Sequence, residues 1–341
     1  MTPRGAILPI STVPLLPASL ACLLLAGGIS NGQGPAPPAP PAPPAAPASP
    51  AAPPAPAPPP NPVNFIRNKI AAGDLASAES ILEVHRADNG EDATWLTGLS
   101  WLARGAFLLG DLDKAQRYAS DARARCAEAL AKGAKLEEDH ALETALGAAI
   151  EVEAQLRGRR GGAKKAAEYV RGELARFPGP VALRSRLNKR LNMMTLAGTP
   201  APELAIEDSV GAPPPSIASL RGRPIVLFLW AEWCGDCKAQ ARALAGARQR
   251  HPETAFLALT RYYDDEAKRG AEKERVAETW KTAYADVGTI PIVISTASME
   301  RYGGSSTPTF VFIDPAGVVR LYTPTRLTAD ALDQAIARIA R

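Results

Sequence analysis

The chain has 341 residues, 46% of them hydrophobic and 22% charged, with a formal net charge of +4. That length accommodates two domains. So small a charge, with acidic and basic residues intermixed rather than blocked, is by itself no argument for a nucleic-acid or anionic-membrane partner.

Residues 1–34 read as a targeting segment. Arg4 is the only cation before the apolar stretch Ala6–Ile29, whose cleanest run is Leu15–Ala26, interrupted by Pro17; Gly27, Gly28, Ser30 and Gly32 follow. Two outcomes stay open: a signal peptide cleaved within 28–34, or an uncleaved membrane anchor, which Pro9, Pro14 and Pro17 weaken as a helix. Cys22 does not fit a lipoprotein site, since Ser19 precedes it and apolar residues continue past it. Residues 35–62 hold 16 of the 33 prolines, which excludes helix and sheet and predicts an extended polyproline-like linker. Its 28 or so residues, at roughly 3.1 Å each, span on the order of 85 Å. An inert tether is the reading preferred to a PxxP ligand.

Residues 63–197 are dominated by Ala, Leu, Glu, Arg and Lys, with no proline from Asn64 to Phe177 and helical apolar spacing at Trp95, Leu99, Leu102 and Phe107-Leu108. A repeat is visible. Gly73-Asp74-Leu75-Ala76-Ser77-Ala78 returns as Gly110-Asp111-Leu112-Asp113-Lys114-Ala115, and more weakly as Gly161-Gly162-Ala163-Lys164-Lys165-Ala166. The glycine ends one helix and the aspartate caps the next. The spacing is near the tetratricopeptide period of about 34. Such hairpins offer a groove for a peptide or protein partner, or form a scaffold or dimerisation layer without a defined ligand. Cys126 reads as a buried inert thiol. The turn Phe177-Pro178-Gly179-Pro180 ends a helix, and a last helix over about 181–197 leads to Gly198, the expected domain boundary.

From 198 to 341 strands and helices alternate. Pro224–Trp230 is an apolar run that reads as a buried parallel strand, followed by helix formers from Lys238. Thr254–Thr260 and Pro291–Ser295 are predicted strands, with a helix at Glu266–Ala285 between them. Thr309–Ile313 and Val318–Thr323 form a hairpin about Asp314-Pro315-Ala316-Gly317, and Ala329–Ile339 is an amphipathic helix. The predicted class is an N-terminal all-α repeat region followed by an α/β sandwich.

Where the first of these strands hands over to its helix stands Trp233-Cys234-Gly235-Asp236-Cys237. A thiol at a helix N-terminus meets unpaired N–H groups and the positive end of the helix dipole, which favour the thiolate. Two intervening residues let the second sulfur reach the first, the arrangement for thiol–disulfide exchange. Half a zinc site is the first alternative. The remaining Cys22, Cys126, His85, His140 and His251 supply no second ligand pair. A structural disulfide is the second; such bonds more often join distant segments. Strand, C-x-x-C and helix together favour redox.

The segment Leu229–Lys238 resembles the active-site segment of the thioredoxin family. Tyr302–Gly317 resembles the stretch carrying that family's cis-proline, here Pro308. Gly198-Thr199-Pro200-Ala201-Pro202-Glu203-Leu204 with Leu220–Pro224 is similar to the TlpA-like and ResA-like branch. The resemblance covers about 198–341. It implies a thioredoxin-like fold, no cofactor, and a bacterial periplasmic or envelope location, with protein thiols and disulfides and an electron donor as partners. It also implies Cys234 as attacking thiolate, Cys237 as resolving thiol, and Trp233, Thr307 and Pro308 beside the substrate. Two positions depart from the pattern. Phe228 stands where thioredoxins carry a buried aspartate, and Gln240 where ResA-like reductases carry a glutamate. Glu232 and Asp236 are nearby carboxylates that also read as a surface charge and a helix-start residue, and the loop Arg261–Asp264 is a further source of groups. The expected activity is an exported thiol–disulfide oxidoreductase, a reductase by the TlpA-like resemblance. The competing expectation is a partner-binding helical scaffold with an accessory redox domain.

Overall fold

The computed structural model describes residues 61–340, which form one compact unit. The predicted targeting segment and all but the end of the Pro/Ala-rich segment lie outside the described residues.

The helical part opens with two hairpins: α1 (Pro62–Ala71) with α2 (Leu75–Asn89), and α3 (Ala93–Leu108) with α4 (Leu112–Ala131). Pro62 begins α1 because a first helical residue needs no N–H partner, and Asn61 caps it. Each hairpin turns on the repeated Gly-Asp pair. Gly73 and Gly110 sit at φ of 79° and 86°, where a Cβ is unfavourable. Asp74 and Asp111 accept from the N–H groups of Ser77 and Lys114 at 3.0 and 2.9 Å. The weaker third copy also marks a turn: within α5 (His140–Arg176) Gly162 leaves helical geometry at φ of 80° and the chain folds back, so that Tyr169 donates to Glu153 and Arg157 lies 3.8 Å over the Tyr169 ring. α5 packs on α3 and α4, and α6 (Val181–Thr195) packs on α5. Ile66, Leu82, Trp95, Leu99 and Leu156 fill one helical core; Cys126, Leu142, Ile150, Leu183 and Leu187 fill another.

The C-terminal part is a six-stranded mixed sheet of order β1-β4-β3-β2-β5-β6. Its strands are β1 (Asp208–Val210), β2 (Ile225–Leu229), β3 (Ala255–Thr260), β4 (Ile292–Ile294), β5 (Thr309–Ile313) and β6 (Val319–Thr323). β2 lies centrally, parallel to β3 and antiparallel to β5. It is wholly buried because both faces are covered, so alternation separates its residues. Val226, Phe228 and Trp230 enter one core, and Ile225, Leu227 and Leu229 the other. The helices are α7 (Gly235–Lys238), α8 (Ala241–Arg250), α9 (Arg269–Ala283), α10 (Thr296–Arg301) and α11 (Ala329–Ile339). The predicted fold class is borne out: an all-α region followed by a thioredoxin-like α/β domain. Two elements were not foreseen, the edge strand β1 and the short helix α10.

Candidate active site

β2 ends at Leu229, and Trp230 and Ala231 stay buried as the chain turns out of the sheet. Cys234 donates its N–H to the Ala231 carbonyl at 3.1 Å and stands at the N-cap of α7. Cys234 and Cys237 are joined as a disulfide, with their Cα atoms 5.2 Å apart. The Cys237 N–H points at Cys234 Sγ at 3.1 Å. Cys234 is 6% exposed and Cys237 0%, so what little surface the pair presents belongs to Cys234.

Antiparallel pairing of β2 with β5 sets Leu229 opposite Thr309, which brings the loop before β5 to the cysteines. The Thr307–Pro308 bond is cis. The Thr307 carbonyl oxygen lies 3.5 Å from Cys234 Sγ, while Thr309 Oγ1 donates to the Ser306 carbonyl at 2.7 Å and ties the loop down. Thus Cys234, Thr307 and Pro308 meet. Trp233, the residue before Cys234, is 59% exposed, its ring edge-on to Tyr263 with centroids 5.3 Å apart. Arg261 lies 4.7 Å over that tyrosine ring. Buried Glu272, which sequence reasoning missed, accepts the Tyr263 and Asp264 N–H groups at 2.7 and 3.0 Å and so holds the loop carrying Trp233's partner. No motif marks it; its signal is a carboxylate on the inward face of α9.

The nearby acids are engaged elsewhere. Glu232 pairs with Arg275 at 3.2 Å and Asp236 with Arg326 at 3.2 Å. Phe228 is buried among aromatic rings, 5.1 Å from Phe310 and 6.2 Å from Tyr284. Gln240 is 3% exposed and clasps the Leu327 backbone, donating to its carbonyl at 2.9 Å and accepting from its N–H at 2.7 Å. The same core contains two buried polar atoms without a hydrogen-bond partner, Trp230 Nε1 and the Tyr284 hydroxyl. Burial pushes the Tyr284 phenol up from its ordinary range. Far from this site, burial pushes the Cys126 thiol up to about 12 against the opposing pull of Arg123, so it is an inert thiol at neutral pH. Among the described residues no cluster of three or more His, Cys, Asp or Glu is placed to hold a metal, and no helix is long and apolar enough to cross a membrane.

A C-x-x-C disulfide thus stands at the start of a helix, beside the loop before an antiparallel strand, within a thioredoxin-like domain. Residues 216–340 match the family model described as a thioredoxin-like domain. Over 73 residues the chain is 33% identical to the soluble secreted antigen MPT53 of Mycobacterium bovis and of Mycobacterium tuberculosis. That match covers 20% of this chain and 42% of the relative, so the chain spans less than half the length of the curated relatives it matches. Among solved structures, it is similar to a secreted Mycobacterium tuberculosis disulfide oxidoreductase homologous to E. coli DsbE, with TM-score 0.30, 22% identity, and coverage of 36% of this chain and 85% of that one. It is also similar to a putative thiol:disulfide interchange protein DsbE from Chlorobium tepidum, with TM-score 0.33, 23% identity, and coverage of 42% and 96%.

Proposed function

We propose that the protein is an exported thiol–disulfide oxidoreductase of the TlpA-like kind that reduces disulfides of bacterial envelope proteins. The observation that carries this reading is the surrounding of Cys234: its sulfur takes the Cys237 N–H and lies beside the Thr307 carbonyl. An N–H aimed at sulfur stabilises a thiolate there in the reduced protein. In the forward reaction the Cys234 thiolate attacks one sulfur of a substrate disulfide, forming a mixed disulfide and releasing one substrate thiolate. Cys237, deprotonated, then attacks Cys234 Sγ. The intramolecular disulfide forms, the second substrate thiolate leaves, and two electrons have passed to the substrate. A dithiol donor reverses the cycle on the enzyme. Trp233, Thr307 and Pro308 form the rim against which the substrate lies.

In this reading residues 1–34 direct export or anchor the chain, 35–62 space the folded part from its attachment, and 63–197 form tetratricopeptide-like hairpins. Support for export comes from the apolar N-terminal stretch and from a matched relative described as a soluble secreted antigen. The test is equilibration of the Cys234–Cys237 pair in a dithiothreitol or glutathione series. A potential near about −270 mV is expected of a reductase, while one near about −120 mV would make the protein an oxidant of exported thiols. Absence of any reversible couple would overturn the exchange reading and leave the helical scaffold as the functional part.

A further inference from the structure

The helical region reaches the redox site through one basic side chain. Lys189 Nζ, on α6, donates to Ser306 Oγ at 2.9 Å, one residue before the Thr307 carbonyl that lies beside Cys234. Lys189 is the end of a strip of cations. Behind it, Arg104, Arg186 and Arg190 share a single buried carboxylate, Glu151, at 3.4, 2.8 and 4.0 Å. Beyond them Arg67 and Arg104 lie over the Trp101 ring at 4.7 and 4.9 Å. Three arginines thus share one carboxylate, with Lys189 and Arg67 at the two ends of the strip. Among the described residues neither Lys189 nor Arg67 has an acidic partner, and Arg190 Nε is buried with no hydrogen-bond acceptor. The side chains of Arg104, Arg186 and Arg190 remain 23, 15 and 20% exposed, so the strip keeps some surface toward solvent. Burial first, opposed by Glu151 and reinforced by Arg190 and Arg104, holds Lys189 below the ordinary lysine range.

We propose that this strip, from Arg67 and Trp101 across Arg104, Arg186 and Arg190 to Lys189, docks an acidic segment of the protein substrate and leads its disulfide along the cis-proline loop to Cys234. The inference rests on the exchange reading above. Charge complementarity sets the sign of the ligand, and continuity with the loop at the reactive sulfur selects a disulfide-bearing polypeptide over an anionic lipid surface. Trp101 stacked with arginines suits an extended chain whose carboxylates take the unused guanidinium N–H groups.

The test uses the full chain and three synthetic disulfide peptides that differ only in flanking sequence: glutamate-rich, serine-rich and lysine-rich. With dithiothreitol as donor, kcat/KM for the glutamate-rich peptide is expected to exceed that for the lysine-rich one by about tenfold at low salt. The ratio should shrink as ionic strength rises past about 0.15 M, where the Debye length is roughly 8 Å. It should fall at least threefold in the double variant Arg67→Gln, Arg190→Gln and persist in Lys281→Gln on the remote face of α9. If the double variant does not fold, Arg67→Gln alone, whose guanidinium rests on the Trp101 ring, carries the same comparison. Equal rates for all three peptides would overturn the docking strip and leave the exchange reading intact. Exchange with none of them would overturn both. Binding to phosphatidylglycerol vesicles that the double variant abolishes, without peptide selectivity, would assign the strip to lipid instead.

Discussion

At the level of single residues, the core beneath the cysteines is unusual for its hydrogen bonding. Tyr284 buries a hydroxyl with no partner among stacked rings, Trp280 lying parallel to it at 4.4 Å. A buried unpaired polar group costs about 1–3 kcal/mol, so Tyr284→Phe is expected to stabilise the protein by about 1 kcal/mol, read as a higher urea midpoint at unchanged slope. A lower midpoint would mean that the hydroxyl has an ordered water partner. Gln240 makes the opposite case. Its amide satisfies both groups of Leu327, donating to one and accepting from the other. A carboxylate there keeps the N–H but faces the carbonyl with no proton. Gln240→Glu is therefore expected to destabilise by about 1–3 kcal/mol at pH 7. The glutamic acid form can donate to Leu327, so the folded-state pKa of the new carboxyl lies above its unfolded value of about 4.3. The penalty is absent below that value and grows as pH rises through the folded one. Urea unfolding at pH 4 and pH 7 checks this, and an equal penalty at both would refute it. Reinstating the acid of the ResA-like pattern thus carries a cost in the loop that Gln240 clasps.

At the level of elements, what was legible follows from pattern length. β2, β3 and β5 are unbroken apolar runs flanked by turn residues, and α11 is strongly amphipathic, so their presence was readable. The Gly-Asp turns were readable because one residue type supplies positive φ and the other a cap. β1 was not: Asp-Ser-Val at a sheet edge carries no period, and its register comes only from pairing with β4. Nor was α10, whose six residues are too few to show a helical face. The C-x-x-C and the cis-proline were found from sequence, whereas Glu272 and Lys189 act through packing that no local spacing encodes. The β5–β6 hairpin, read correctly, depends on one acid. Asp314 accepts from the Val318 N–H at 2.9 Å and the Arg320 guanidinium at 2.6 Å. Burial alone would raise its pKa, but these donors and the Ala316 N–H outweigh it and hold the carboxyl below the usual range. The stabilisation is therefore complete above the unfolded aspartate value of about 3.9 and is lost as pH falls through the lower folded value. Asp314→Asn is expected to cost about 1–2 kcal/mol at pH 7, with the gap between variant and wild type closing as pH falls through the lowered folded value. A gap that persists in acid would place the effect in hairpin shape rather than charge.

At the level of the whole molecule, the helical region and the sheet are joined by a contact that leaves little tolerance. Gly303 has φ of 70°, and a Cβ built there would overlap the backbone of Lys189 on α6. Around this point Arg184 donates to Glu300 at 2.6 Å, Asn192 donates to the Arg301 carbonyl at 3.0 Å, and Leu196 enters the sheet core beside Met299 and Tyr302. α6 thereby packs on the segment that runs straight into the cis-proline loop, which couples helical packing to the geometry at Cys234. Gly303→Ala meets two costs. The left-handed backbone disfavours a side chain by about 1–2 kcal/mol, and overpacking against α6 adds about 1–3 kcal/mol. The wild type is expected to unfold in one transition, with far-ultraviolet circular dichroism and tryptophan fluorescence coinciding. In Gly303→Ala the midpoint should fall by an amount equivalent to about 2–4 kcal/mol, and the two probes should separate as the helices and the sheet lose their common contact. Exchange with a peptide disulfide should slow more than exchange with dithiothreitol, because only the larger substrate needs the loop edge held by α6. Coincident probes with a shift under about 1 kcal/mol would show that the two parts fold as one without this contact. The route from helical region to active site would then run through the Lys189–Ser306, Arg184–Glu300 and Asn192–Arg301 hydrogen bonds.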